Sequence, residues 1–461
     1  MIHNNLFTSN FKKIGKRIGG IIAVIVILNL ATSGLNFLYV DNGVNDSSRN
    51  WSRILWHNFY EEEENIDYLY LGSSHVYCDL KPSLLNEING ENNFNLSSSS
   101  QRLNGTYYCL READKEHEIK HVYIELYYTL QTGERGIFLA NGNARISNWR
   151  NADFMRNSGN RLEYIMATCS SEYYVDAFLP FVRYRECLFD VDYVRSQLEY
   201  KQTEDYKNYI FYNQYGDASV EEFQDGGYCY STTTLSQSKL NDAYYIQGGL
   251  SENPLTEEAE EWLRKIIMYC KENDIEVTLF SSPMYELEVF ASGNYDNYVD
   301  QIQTIAAEYE VDYYDFNLCK EAYLPLQGLE NHRDIHHLND KGATIFTEFF
   351  WKVMQGTKEE NEIYFYDSWE EKLRETDGRI YGLLQIETDS EEGICYEVAS
   401  NWNSGMEYRI LLTPQDGETV MLQDFSENRI FEVAKDEHGI CTVVARKTGE
   451  TEQVQTLEIE Y

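Results

Sequence analysis

With 461 residues, 77 of them acidic and 38 basic, the chain carries a formal net charge of −39 at neutral pH. That length accommodates about two to three domains and a sizeable core, while the charge disfavours nucleic acid as a partner, because no Lys/Arg cluster is present to build a basic groove. Nine cysteines are scattered from Cys78 to Cys441 with no C-x-x-C pair, so neither a zinc ribbon nor a thioredoxin-type site is expected and most should be small buried hydrophobes.

In chain order, the first signal is a membrane signal. Residues 1–17 form a short tail holding Lys12, Lys13, Lys16 and Arg17, and residues 18–40 lack charged side chains around the apolar run IIAVIVIL. This matches the roughly twenty residues that a bilayer core demands. One transmembrane helix is predicted, with the tail cytoplasmic and everything after Val40 outside. The rival reading is a cleaved signal peptide, but the apolar stretch exceeds a signal core and no small-residue cleavage site follows it. Residues 41–60 read as a polar stalk leading into a short aromatic helix.

From residue 61 the pattern becomes α/β. Short β-rich apolar runs occur at IDYLYLGSSH, HVYIELYYTL (121–130), IEVTLFSSP (275–283) and VDYYDF (311–316), separated by stretches of helical spacing at 256–273 and 297–310. Strands alternating with helices predict a three-layer α/β/α domain on a parallel sheet over 61–358. Residues 131–250, rich in Tyr, Arg and Asn, read as a mostly helical insertion over the C-terminal edge of the sheet, where doubly wound folds bind their ligands. Beyond this, residues 359–461 hold seven strand-like runs, from IYGLLQI to VQTLEI, with Asp-Gly, Ser-Gly and His-Gly turns among them, the signature of a β-sandwich-like domain. The 38 tyrosines are read mainly as buried rings with wet hydroxyls. The acidic runs Glu61–Glu64 and Glu257–Glu261 are read as solvent-facing, so no metal and no cofactor is expected.

Two stretches carry chemistry. Gly72-Ser73-Ser74-His75 stands where a buried strand ends, a position at which free backbone N–H groups can stabilise an oxyanion, although the same turn is also a common helix N-cap. Asp334-Ile335-His336-His337-Leu338-Asn339 precedes the apolar helix ATIFTEFFWKVM. An Asp three residues before a His lets the carboxylate orient one imidazole nitrogen while the other takes a serine proton.

On these two motifs the chain resembles the SGNH (GDSL-like) hydrolase superfamily, and within it the membrane-anchored branch that includes the D-alanyl-lipoteichoic acid biosynthesis protein. The likeness spans about residues 65–355. It implies a flavodoxin-like fold with Ser74 as nucleophile, His337 as general base and Asp334 as its orienting carboxylate, and His75, His332 and His336 as neighbours only. It also implies work on acyl esters of envelope carbohydrate polymers, with an acylated glycan or teichoic-acid-type substrate and a multi-spanning acyltransferase as partner. Two blocks depart from the family pattern. Ser100 stands where an oxyanion-facing Gly is usual, and Tyr127-Tyr128-Thr129 replaces a block that normally brings an Asn, which leaves Ser100 and Thr129 as the oxyanion candidates. Losing one such donor costs about 10²- to 10³-fold in turnover. Three readings therefore stay open: a serine esterase or acyl-transfer enzyme, a scaffold or glycan-binding protein that has lost the chemistry, and a simple secreted lipase with a cleaved N-terminus.

Overall fold

The computed structural model describes residues 3–139, 142–215, 219–241, 243–376, 378–386, 393–401 and 405–461. The chain begins with α1 (His3–Tyr39), in which Lys16–Tyr39 is long and apolar enough to cross a membrane, with a mean hydropathy of 2.2 and none of its apolar window buried. Asp46 then caps α2 (Ser47–Glu61) by accepting from the Arg49 amide. Far from being a stalk, this helix buries Leu55, Trp56 and Phe59 in the main core of the molecule. Its aromatic face is what the sequence shows; that the face has a partner 50 or more residues away is what it hides.

The central sheet is built from β1 (Tyr68–Leu71), β2 (Asn93–Asn95) and β3 (His121–Glu125), with α3 (Ser74–Asp79), α4 (Pro82–Asn89) and α5 (Leu103–Glu116) between them. The insertion follows. It carries α6 (Gly142–Phe154), α7 (Gly159–Thr168), α8 (Tyr174–Phe178), α9 (Val191–Tyr200) and α10 (Glu204–Lys207), and then a three-stranded antiparallel sheet of β4 (Tyr212–Tyr215), β5 (Ser219–Gln224) and β6 (Tyr228–Ser231). The insertion is thus helical as far as Lys207 only, and three antiparallel strands between Tyr212 and Ser231 follow the helices. The sheet resumes through α11 (Glu257–Glu272), β7 (Glu276–Ser281), α12 (Glu286–Ser292), α13 (Tyr295–Glu308) and β8 (Asp312–Asp315), and closes with α14 (Asp340–Gln355).

All pairings in this sheet are parallel and the strand order is β2-β1-β3-β7-β8. Counting its own strands, that is the doubly wound order 2-1-3-4-5, whose ligand crevice opens beyond the C-terminal ends of the first and third strands. Strands β1, β2, β3 and β7 are buried almost throughout, as parallel sheets require, while the edge strand β8 is partly exposed. Two further short helices, α15 (Lys358–Asn361) and α16 (Trp369–Glu375), continue this domain: Trp369 joins its core and its amide donates to Asp296 at 2.6 Å. The α/β region therefore extends to about residue 375 rather than 358.

The C-terminal part is all-β, in two antiparallel sheets. One orders β13 (Ile430–Ala434), β10 (Gly393–Ser400) and β9 (Ile380–Ile386); the other orders β12 (Val420–Ser426), β11 (Met406–Pro414), β14 (Gly439–Lys447) and β15 (Gln453–Glu460). Leu383 and Val398 of the first sheet share one apolar cluster with Tyr408, Ile410 and Val443 of the second. The same cluster takes in Leu287 and Ala291 of α12 and, from the Asp-His loop, Ile335. The β region thereby buttresses the loop that carries Asp334 and His337. Seven of the nine cysteines are buried, Cys187 and Cys395 being partly exposed, and none of the nine is in a disulfide.

Candidate active site

At the end of β1 the chain turns through Gly72 and Ser73 into α3, whose first residue is Ser74. The N-cap role falls to Ser73, whose hydroxyl accepts from the His75 amide at 3.3 Å. That leaves the Ser74 hydroxyl free for other work and, because Ser74 opens the helix, leaves its amide without an intrahelical acceptor. Beneath the turn lies Glu125, the last residue of β3, which is buried and accepts from the Ser73 amide at 2.9 Å. A Cβ on residue 72 would sit 2.6 Å from the Glu125 Cβ and 2.7 Å from its Oε2, so only glycine admits this carboxylate. Gly72→Ala should therefore displace Glu125 and release the turn, costing about 1–3 kcal/mol in a denaturation experiment and slowing any reaction of Ser74.

The second loop is held just as tightly. Asp334 Oδ1 accepts from the amides of His336 at 2.8 Å and His337 at 2.9 Å, and Arg333 packs beside its carboxylate at 3.6 Å while also pairing with Glu221 of β5. Asn339 caps α14 by accepting from the Gly342 amide at 3.1 Å. A Cβ on Gly342 would lie 2.1 Å from the Asn331 carbonyl oxygen, which explains why the helix entry reads Leu-Asn-x-x-Gly. Asp79, at the end of α3, accepts from the Leu338 amide at 3.0 Å and so ties the two loops together.

These two loops bring three of the predicted residues into one chain of hydrogen bonds. Ser74 Oγ lies 2.8 Å from His337 Nε2, and His337 Nδ1 lies 2.9 and 3.0 Å from the two oxygens of Asp334. An ionised carboxylate only accepts, so Nδ1 carries the proton and Nε2 is the lone-pair nitrogen that faces the serine. Burial pushes His337 down to about 4, an effect that Asp334 only partly offsets. Burial would raise Asp334, but His337 and Arg333 outweigh it and hold the carboxyl well below the usual carboxylate range. At neutral pH the pair is thus a neutral imidazole beside an ionised carboxylate, the state needed in a general base.

Because the folded His337 titrates below the unfolded value of 6.5, the stability tied to its neutral form is present above 6.5 and is lost as pH falls from there through about 4. Covalent labelling of Ser74 by a fluorophosphonate is accordingly expected to hold steady through neutrality and to fall to half only near about 4, read as labelling rate against pH. A midpoint at the ordinary histidine value would show that burial does not depress His337.

The other predicted residues are placed less directly. Ser100 lies in the loop after β2 with a left-handed φ of 55°, and Thr129 is buried in the turn after β3; neither is hydrogen-bonded to the triad. Since β1 lies between β2 and β3, both loops nonetheless flank the Ser74 turn. His332 is fully buried with Nε2 on the Leu326 carbonyl at 2.7 Å, a structural role. His336 sits 3.3 Å from the Tyr127 hydroxyl, which donates to Glu288 at 3.0 Å. The His75 ring packs against both Tyr127 and His337, and the Glu125 carboxylate, 3.4 Å from its Nδ1, outweighs burial and raises its pKa. Among the described residues no group of three or more His, Cys, Asp and Glu side chains is set to hold a metal ion.

Sequence reasoning missed Glu125, Tyr127 and Asp79 as supports of the site. The one available signal was a lone glutamate ending an apolar strand, since an unpaired carboxylate there would be costly without donors above it. No family model matches the chain, and no curated protein matches it significantly.

Proposed function

We propose that this chain is an SGNH-type serine esterase or O-acyl-transfer protein, anchored by α1 with its tail in the cytoplasm and its α/β domain outside. The observation that carries the reading is the Ser74–His337–Asp334 alignment, with 2.8 Å from serine oxygen to imidazole nitrogen and 2.9 Å from imidazole to carboxylate. The doubly wound strand order, flavodoxin-like in its 2-1-3-4-5 succession, and the position of the serine at the C-terminal edge of β1 support it.

In this reading Ser74 Oγ attacks the acyl carbonyl carbon while His337 Nε2 takes the hydroxyl proton, and Asp334 stabilises the imidazolium that results. The tetrahedral oxyanion is held by the Ser74 amide, with Ser100 and Thr129 as the candidates for further donation. Its collapse expels the alcohol, which leaves with the proton from His337, and Ser74 is acylated. Water or an acceptor hydroxyl then attacks the acyl carbon, gives its proton to His337, and frees Ser74 as the proton returns to its oxygen. The reading assigns acyl esters of envelope carbohydrate polymers as substrate class, teichoic-acid-type polymers included, and a multi-spanning acyltransferase as the partner that delivers acyl groups.

A binding-only reading draws on one specific observation, that the block after β3 brings no Asn to the site. The two are separated by a fluorophosphonate. Labelling of the native chain that is absent in Ser74→Ala supports the enzyme, and a folded chain that takes no label supports the scaffold.

A further inference from the structure

The last turn of α1 is not free. Its C-terminal carbonyls, which a helix leaves unpaired, are met by the insertion: Lys201 Nζ donates to the Phe37 carbonyl at 2.6 Å and to that of Val40 at 2.9 Å, and the Tyr193 hydroxyl donates to the Tyr39 carbonyl at 2.8 Å. In return Asn36 accepts from the Phe181 amide at 3.0 Å, and the Tyr39 hydroxyl donates to the carbonyl of Leu188 at 3.0 Å. The segment Phe181–Lys201 is therefore fixed to the place where the apolar span ends. The next residue after Leu188 is Phe189, which is 97% exposed, and Val191 beyond it is 69% exposed.

An aromatic side chain left almost wholly in water is unusual in a chain that buries so many others, and its position decides what it meets. Lys16–Tyr39 spans 24 residues, about 36 Å at 1.5 Å per residue, against a hydrocarbon core of roughly 30 Å. Tyr39 and the bonded Leu188 then stand at the headgroup level, where aromatic rings and basic side chains concentrate. The charge distribution agrees. Residues 131–210 hold ten basic and eleven acidic side chains, whereas the whole chain holds 38 and 77, so the segment beside the anchor is nearly neutral in a strongly acidic protein. Arg185 and Arg195 are both well exposed next to the tip. Asp190 and Asp192 limit how deep it goes: Asp190 is spent capping α9 and Asp192 pairs with Arg195 at 2.8 Å, which keeps both at the polar side of the boundary.

We infer that the Leu188–Val191 tip is a second membrane contact, in which Phe189 enters the lipid interface beside the exit of α1 and fixes the orientation of the α/β domain over the bilayer. This goes beyond the esterase reading and is independent of it, but it rests on α1 being a membrane anchor. The occupant is lipid, because the tip is tied by hydrogen bonds to the helix end itself.

The test uses the purified full chain in vesicles of phosphatidylcholine and phosphatidylglycerol with brominated acyl chains. Phe189→Trp is compared with the native chain and with Val420→Trp, an exposed position on the C-terminal β region. The added emission of Phe189→Trp should be blue-shifted and roughly halved by bromine, as for a ring at the acyl boundary, while that of Val420→Trp stays water-like and unquenched. A Phe189→Trp chain that floats with the vesicles while its added emission remains unquenched would overturn the tip contact and leave the anchor intact. A chain that does not float would overturn the anchor, and the inference with it.

Discussion

Replacing Ser74 by alanine is expected to lower turnover of an activated acyl ester such as p-nitrophenyl acetate by about 10⁶-fold, to the level left by the remaining site. The serine oxygen is hydrogen-bonded to His337 Nε2 at 2.8 Å, and among the described residues no other hydroxyl is bonded to that nitrogen. His337→Ala should cost about as much, and the double variant little more than either single one, since nucleophile and base act as a unit. Asp334→Asn should cost about 10⁴-fold, because an amide in place of the carboxylate no longer enforces the tautomer with Nδ1 protonated. All three substitutions leave the Ser73 cap and the Asn339 cap in place, so thermal midpoints should move little for Ser74→Ala. Near-additive losses in the double variant would mean that Ser74 and His337 do not share one step.

The second large effect is on stability. The Asp153 side chain, on α6, is 1% exposed; Arg49 of α2 meets one of its oxygens, and Arg183 reaches both, at 2.5 and 2.6 Å. Burial would raise the carboxyl, but the two guanidinium groups hold it below its ordinary value. Its stabilising contribution is consequently complete above the unfolded value of 3.8 and fades as pH falls below it. Asp153→Ala strands two cations, one of them buried, and should destabilise the protein by about 3–5 kcal/mol, seen as a lower denaturation midpoint with unchanged slope. Adding Arg49→Met should restore part of the loss. A single-variant change below about 1 kcal/mol would place the pair in the class of solvent-screened surface bridges.

How far the sequence carries is visible element by element. Of the runs read as strands, 275–283 and 311–316 became β7 and β8, 121–130 became β3 over its first half only, with a 3-10 turn at Tyr128–Leu130, and all seven runs beyond residue 379 became strands, because short apolar or alternating runs are local patterns. Likewise the Asp-x-x-His spacing contains its own hydrogen bond, so its geometry was legible from four residues. Other features are not local. The strand β2 is only Asn93-Phe94-Asn95, too short and too polar to announce itself, and it exists because β1 offers it an edge. The meander in the insertion and the packing of α2 depend on partners distant in the chain. So does the contact of Ile335 with the C-terminal β cluster, which gives that region a structural task, supporting the Asp-His loop, that no periodicity could encode.

The most direct test of the central claim is to trap the acyl group. After brief incubation of the native chain with an activated acyl ester and quenching in acid, peptide mass mapping should place a single acyl group on Ser74, absent from His337→Ala. An acyl group found instead on one of the partly exposed thiols, Cys187 or Cys395, or no adduct on a folded chain, would contradict the assignment of Ser74 as nucleophile.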